Sequence, residues 1–128
     1  MYRIIIFALC VIICSGCSDL TPSELRSDPG LHSRFIVNDS IQIVIKNIMY
    51  KKDECRWDTL DSVTLLEELG EARIEHRSYA GASAIFFLTD LRRQSDKTYV
   101  DIYATYKMHE RGLKIIEYGA KGLPGCPQ

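Results

Sequence analysis

The sequence lacks an excess of charge of either sign. Its 128 residues carry 16 Lys or Arg against 17 Asp or Glu, a formal net charge of −1. Nucleic acids and anionic membranes are bound through clusters of basic side chains, and a balanced chain has no such electrostatic attraction. The basic pairs Lys51-Lys52 and Arg92-Arg93 each lie beside acidic residues, which predicts solvated turns. We therefore expect no nucleic-acid partner.

Catalytic and cofactor motifs are also missing. The chain contains no Gly-rich phosphate loop, no H-E-x-x-H, no G-x-S-x-G and no Cys/His metal pattern. Glu67 and Glu68 would point about 100° apart on a helix and would not converge on one substrate. His76 and His109 are expected to be structural or surface residues. The sequence predicts a non-enzymatic protein with no cofactor, metal or small-molecule substrate.

No apolar run is long enough to cross a membrane, and the most notable one opens the chain. Ile4–Ile13 follows Arg3 and as a helix would cover about 15 Å, half of a bilayer's hydrocarbon core. This length matches the apolar region of a signal peptide. Ser15-Gly16 then precedes Cys17, as small residues do before a cleavage site.

Cys14-Ser15-Gly16-Cys17 resembles the lipobox of bacterial lipoproteins, although Cys14 stands where Leu is usual. The resemblance implies that Cys17 is acylated and becomes the new N-terminus. It also implies a signal peptide over residues 1–16, a lipidated tether over 17–34 and a single periplasmic domain over 35–128. Ser18 directly after the cysteine resembles an outer-membrane sorting signal, so we expect a membrane-anchored protein facing the periplasm.

Two cysteines remain once the leader and the lipidated residue are set aside. Cys55 and Cys126 would lie in an oxidising compartment, where an even number of remaining cysteines predicts a disulfide. Such a bond would close a loop of about seventy residues, worth about 4 kcal/mol in the chain-entropy model. No histidine lies near either cysteine in sequence, which disfavours a metal site.

The first element predicted in the mature domain is a helix. Asp39 is a candidate N-cap, and apolar residues follow at helical spacing: Ile41, Val44, Ile45, Ile48 and Met49. Thr59–Leu69 is ambiguous. Gly70 as a C-cap and apolar residues at intervals of three favour a short helix: Leu60, Val63, Leu66 and Leu69. Leu65 and the β-branched pair Val63-Thr64 keep a strand possible.

The second half of the chain is predicted to form strands. The candidates are residues 72–79, 84–88, 99–108 and 113–118, joined by short turns. Short connections favour antiparallel pairing. The predicted fold is therefore α+β, with one or two N-terminal helices packed on a four-stranded antiparallel sheet.

An aromatic strip is the candidate binding surface. In the third predicted strand Val100, Ile102, Ala104, Tyr106 and Met108 share the core face, which places Tyr99, Asp101 and Tyr103 on the other. Aligned tyrosines are typical of protein interfaces. We expect an outer-membrane lipoprotein that serves as a protein-binding accessory of an envelope assembly or secretion system. The alternative is an immunity or inhibitor lipoprotein that blocks an envelope-acting enzyme.

The lipid anchor gives the first testable prediction. Intact mass of the detergent-extracted protein should correspond to a chain starting at Cys17 plus two or three acyl chains, since a single chain anchors only marginally. A Cys17→Ser variant should lose its detergent partitioning. Continued partitioning of that variant into detergent would contradict acylation at this residue.

Overall fold

A computed structural model describes residues 20–77, 84–105 and 109–128, so Cys17 lies outside the described residues. The described elements, in chain order, are α1 Pro22–Ser27, β1 Leu31–Val37, α2 Ile41–Glu54, β2 Leu60–Leu66, a 3-10 turn Glu67–Leu69, β3 Glu71–Arg77, β4 Ile85–Gln94, β5 Lys97–Ala104 and α3 Glu110–Lys121. The strands form one antiparallel sheet in the order β1-β5-β4-β3-β2. The chain is therefore α+β, as predicted.

Side chains alternate across the sheet and divide it into two unlike faces. One face packs against α2 and α3 and forms the main core, which includes Ile41, Val44, Ile48, Ile74, Phe87, Leu91, Val100, Ile102, Leu113 and Ile116. This helix-covered face confirms the predicted alternation of Val100, Ile102 and Ala104 in β5. Tyr106 and Met108 lie outside the described residues.

Helix α2 forms where the apolar spacing predicts it. Ile41, Val44 and Ile48 are buried, while Ile45 and Met49 pack at the edge of the core. The N-cap is Ser40, one residue after the expected Asp39, and its side chain accepts a hydrogen bond from the Ile43 amide.

The helix favoured for Thr59–Leu69 is wrong. Residues Leu60–Leu66 form strand β2, and only Glu67–Leu69 makes a 3-10 turn, which ends at Gly70 with a φ of +62°. The whole of β2 pairs antiparallel with β3, and this tertiary pairing outweighs the three-residue spacing of apolar side chains. The strand alternative, based on Val63-Thr64, was the correct one.

The strand predicted over residues 113–118 is also wrong, because Glu110–Lys121 is helix α3. Leu113, Ile116 and Ala120 fall on one helical face and join the main core. Gly119 lets α3 approach α2 closely: a Cβ at this position would lie 2.7 Å from Ile48 Cα. A glycine is required at that contact.

The segment predicted as a tether, residues 17–34, contains helix α1 and the first part of strand β1. Thr21 and Glu24 form a capping box at the start of α1, and β1 pairs with β5. With β1 and β2 added and the strand over 113–118 removed, the described residues form five strands where four were predicted, and α3 places one helix near the C-terminus. None of the described helices is long and apolar enough to span a bilayer.

The C-terminal tail is fastened to the end of α2. Cys55 and Cys126 form a disulfide, with Cα atoms 5.6 Å apart. Lys51, which is buried, donates from Nζ to the Gly125 carbonyl at 3.0 Å and to Glu54 at 2.5 Å. The expected solvated turn at Lys51-Lys52 is therefore wrong: both lysines are buried in the last turn of α2.

Replacing Cys55 and Cys126 together with Ser should lower the free energy of unfolding by about 2–4 kcal/mol, because the unfolded chain regains loop entropy. Non-reducing peptide mapping of the wild-type protein should find the cross-linked pair. Free alkylation of both thiols in the folded, unreduced protein would contradict the bond.

Candidate protein-binding surface

Tyr99, Asp101 and Tyr103 lie together on the face of the sheet opposite α2 and α3, as the alternation of β5 predicts. We call this the open face. The register places Asp101 beside Asp90 of β4 and Arg34 of β1. The face is therefore rich in charge as well as in aromatic rings, which the alternation of β5 alone does not predict.

Helix α1 covers one end of the open face. Its buried Leu25 packs with Ile85 and Leu88, and Tyr103 lies against this cluster. The His32 ring stacks on Tyr103 with centroids 4.6 Å apart. Burial raises the pKa of the Tyr103 hydroxyl. Tyr103 is thus half-buried and partly structural.

Ion pairs hold Asp101 and Asp90, two of the carboxylates on the open face. Asp101 accepts from Arg34 Nε at 2.6 Å and contacts His32 Nε2 at 3.0 Å. Burial alone would raise the pKa of Asp101, but its hydrogen bonds with Arg34 and His32 outweigh burial and lower it. Asp90 receives two hydrogen bonds from Arg26, at 2.6 and 2.8 Å, the bidentate geometry that guanidinium groups favour.

A cleft of about 540 Å³ lies on the open face between these pairs. Its charged and aromatic lining consists of Arg26, Glu71, Arg73, Asp90, Arg92, Tyr99 and Asp101. The Arg92 guanidinium lies 5.3 Å from the centre of the Tyr99 ring. Arg73 Nε is buried and makes no hydrogen bond to any described residue, with Asp90 Oδ1 3.8 Å away.

Strand β2 is a second exposed feature, and it was not expected because residues 59–69 were predicted to form a helix. It forms one edge of the sheet. Its large apolar side chains and those of the following turn are between 42% and 67% exposed: Leu60, Val63, Leu65, Leu66 and Leu69. The sequence signals for this strand were Leu65 and the β-branched pair Val63-Thr64.

A polar network on the helix-covered side of the sheet joins β2 to α2, β3 and β4. Lys52 Nζ bonds Asp61 and, at 2.5 Å, Thr59 Oγ1. Asp61 Oδ1 lies 2.7 Å from His76 Nδ1, and His76 Nε2 lies 3.3 Å from Thr89 Oγ1. His76 is fully buried with both ring nitrogens paired, in agreement with the structural role expected for it.

The side chains of Thr89, His76 and Asp61 are hydrogen-bonded in the same order as the hydroxyl, imidazole and carboxylate of a catalytic triad. A nucleophile must reach its substrate, but Thr89 and His76 are both fully buried. The rings of Trp57 and Phe87 pack around His76, with centroids 6.0 and 6.4 Å from its own. The network therefore holds the fold together and does not present a nucleophile to solvent.

One group of three potential metal ligands occurs in the described part of the chain: Glu54, Cys55 and Cys126, whose ligand atoms lie within 4.8 Å of one another. Both sulfur atoms belong to the disulfide. A disulfide sulfur offers no thiolate to a metal ion.

No protein-family model, no curated protein and no solved structure matches this chain. Inference about its function therefore rests on its own residues.

The buried network predicts a loss of stability in acid. Burial, together with the nearby charge of Lys52, lowers the pKa of His76, although Asp61 opposes this shift. The unfolded chain therefore binds the proton first, and stability should fall as the pH drops below about 6.5.

Burial would raise the pKa of Asp61, but bonds from His76, Lys52 and Thr59 lower it from 3.8 to about 2. This shift contributes about 2 kcal/mol to the free energy of unfolding, and the contribution is lost as the pH falls from about 3.8 to about 2.

Chemical denaturation between pH 8 and pH 3 should reveal this dependence, and NMR titration of the His76 ring should show a pKa below its ordinary value. An increase in unfolding free energy between pH 7 and pH 5, or an elevated His76 pKa, would contradict this prediction.

Proposed function

We propose that this protein is a lipid-anchored, non-enzymatic accessory of an envelope assembly or secretion system, and that it binds a protein partner on the open face around Tyr99. The observation that carries the proposal is the cleft on this face, whose lining combines the Tyr99 ring with arginine and carboxylate side chains. The guanidinium groups of Arg73 and Arg92 can donate hydrogen bonds to a partner's carbonyl or carboxylate groups.

The residue types in the cleft support a protein ligand. Arginine and tyrosine are enriched among the residues that dominate binding energy in protein interfaces. Arg73 and Arg92 are balanced by Asp90 and Asp101, so the lining is mixed in sign. A mixed lining suits a polypeptide segment with both carbonyl and charged groups better than it suits a small anion.

The position of α1 connects this surface to the anchor. Cys17 precedes Leu20, the first described residue, by three positions, which limits the intervening chain to about 10 Å. Helix α1 packs on the open face. An acyl group on Cys17 would therefore hold the open face close to the membrane surface, where an envelope machine would be met.

Photocrosslinking in the native envelope tests the proposal. A photoreactive phenylalanine at Tyr99 should capture a discrete envelope protein, whereas the same group at Tyr50, a 67% exposed tyrosine on α2, should not. Tyr99→Ala should then weaken binding of the purified partner by about 10- to 100-fold, a hot-spot effect, while Tyr50→Ala leaves it unchanged.

Stability measurements separate binding from folding in this experiment. Tyr99→Ala should keep the wild-type unfolding midpoint, whereas Tyr103→Ala should lower it because Tyr103 packs against the Leu25 cluster. Equal capture from Tyr99 and Tyr50, or unchanged affinity of Tyr99→Ala, would contradict the proposed surface. Capture of an envelope hydrolase that this protein inhibits would favour the immunity or inhibitor function instead.

A further inference from the structure

The two edges of the sheet differ in how they are protected. Exposed edges usually carry charged side chains that discourage pairing with another strand. On β1 this role falls to Arg34, whose side chain is 68% exposed, and to His32. Strand β2 has a single charged residue, Asp61, whose side chain is 14% exposed and turned inward to Lys52 and His76. The β2 edge therefore lacks the protection that β1 has.

The sequence of β2 is symmetric in character about Val63 except at one pair. Residues 60–66 read Leu-Asp-Ser-Val-Thr-Leu-Leu. If a second copy of this strand lay antiparallel with Val63 opposite Val63, each Leu60 would face a Leu66 and each Ser62 would face a Thr64. Apolar and hydroxyl pairs of this kind stabilise neighbouring antiparallel strands. The exception is Asp61, which would face Leu65.

Other registers are poorer. A two-fold axis perpendicular to the sheet keeps every side chain on its own face, so the strands can shift only by an even number of residues. Centring the pair on Thr64 would leave Leu60 and Asp61 without partners in the other strand. Centring it on Ser62 would leave Leu65 and Leu66 without partners. The Val63 register alone pairs all seven residues of β2.

We propose that the β2 edge is a self-association surface, on which two copies of this chain pair their β2 strands antiparallel about Val63. The paired sheets form one continuous sheet with the helices of both copies on the same side. The axis brings the two exposed Val63 side chains together on the helix-covered face, and it brings Leu60 against Leu66 on the open face. Asp61, which faces Leu65 of the other copy, stays neutralised by Lys52 of its own copy, so no like charges meet within the paired strands.

Cysteine cross-linking of the full chain in its native envelope tests the register. Directly opposed residues have Cβ atoms about 4.5–5.5 Å apart, so Val63→Cys should give a covalent homodimer with a short thiol-reactive linker. Leu69→Cys is the matched control, because this residue is 67% exposed but lies beyond the strand. Mixing chains with Leu60→Cys and Leu66→Cys should give cross-linked heterodimers.

Sedimentation velocity of the detergent-solubilised full chain tests the association itself. The wild type should shift from monomer to dimer as its concentration rises. Val63→Lys should weaken the dimer by at least about tenfold, because two ammonium groups would meet on the axis. Leu69→Lys should leave the dimer intact, and both variants should keep the wild-type unfolding midpoint because both side chains are exposed.

The proposal is overturned if the wild type stays monomeric, if Val63→Lys dimerises like the wild type, or if Leu69→Cys cross-links as well as Val63→Cys. Exclusive cross-linking of Val63→Cys to a different polypeptide would also overturn it and would assign the edge to a strand of another protein. Binding of the open-face partner by Val63→Lys separates this result from failure of the proposed function.

Discussion

Strand β2 depends on one buried ionic contact for its place in the sheet. The strand pairs on one side only, with β3, and its side chains bury little apolar surface. Lys52 of α2 and His76 of β3 both hold Asp61. A slip of one residue would move Asp61 to the opposite face of the sheet and leave these two buried partners unpaired. The network therefore fixes which side chains β2 shows to solvent.

Uneven coverage of the sheet gives each surface its character. Helices α2 and α3 bury the centre of one face, and α1 covers one end of the other. What remains is a charged cleft bordered by Tyr99 and an apolar edge at β2. We propose separate roles for these two surfaces, a protein partner on the cleft and a second copy on the edge, and neither role requires a catalytic group.

The sequence predicted the elements whose pattern is set locally. The apolar stripe of α2 and the strict alternation of β5 place the same residues in the core that the structure places there. The prediction for residues 113–118 was wrong because a short apolar run fits either a strand or a helix. The close contact of Gly119 with Ile48 of α2 is consistent with the helix, but it is visible only in the folded chain. The predicted strip Tyr99–Tyr103 lies on one face, but its arginine partners, Arg34 of β1 and Arg92 of β4, come from other strands, and no sequence pattern links them to it.

Hydrogen exchange on an Asp61→Asn variant tests the central claim most directly, because it removes the charge at the network's centre while preserving the side chain's size. If the network holds β2 in register, amides of β2 and of its β3 partner should lose protection while those of β4 and β5 keep it. Unchanged protection of β2, or an equal loss throughout the sheet, would contradict the account.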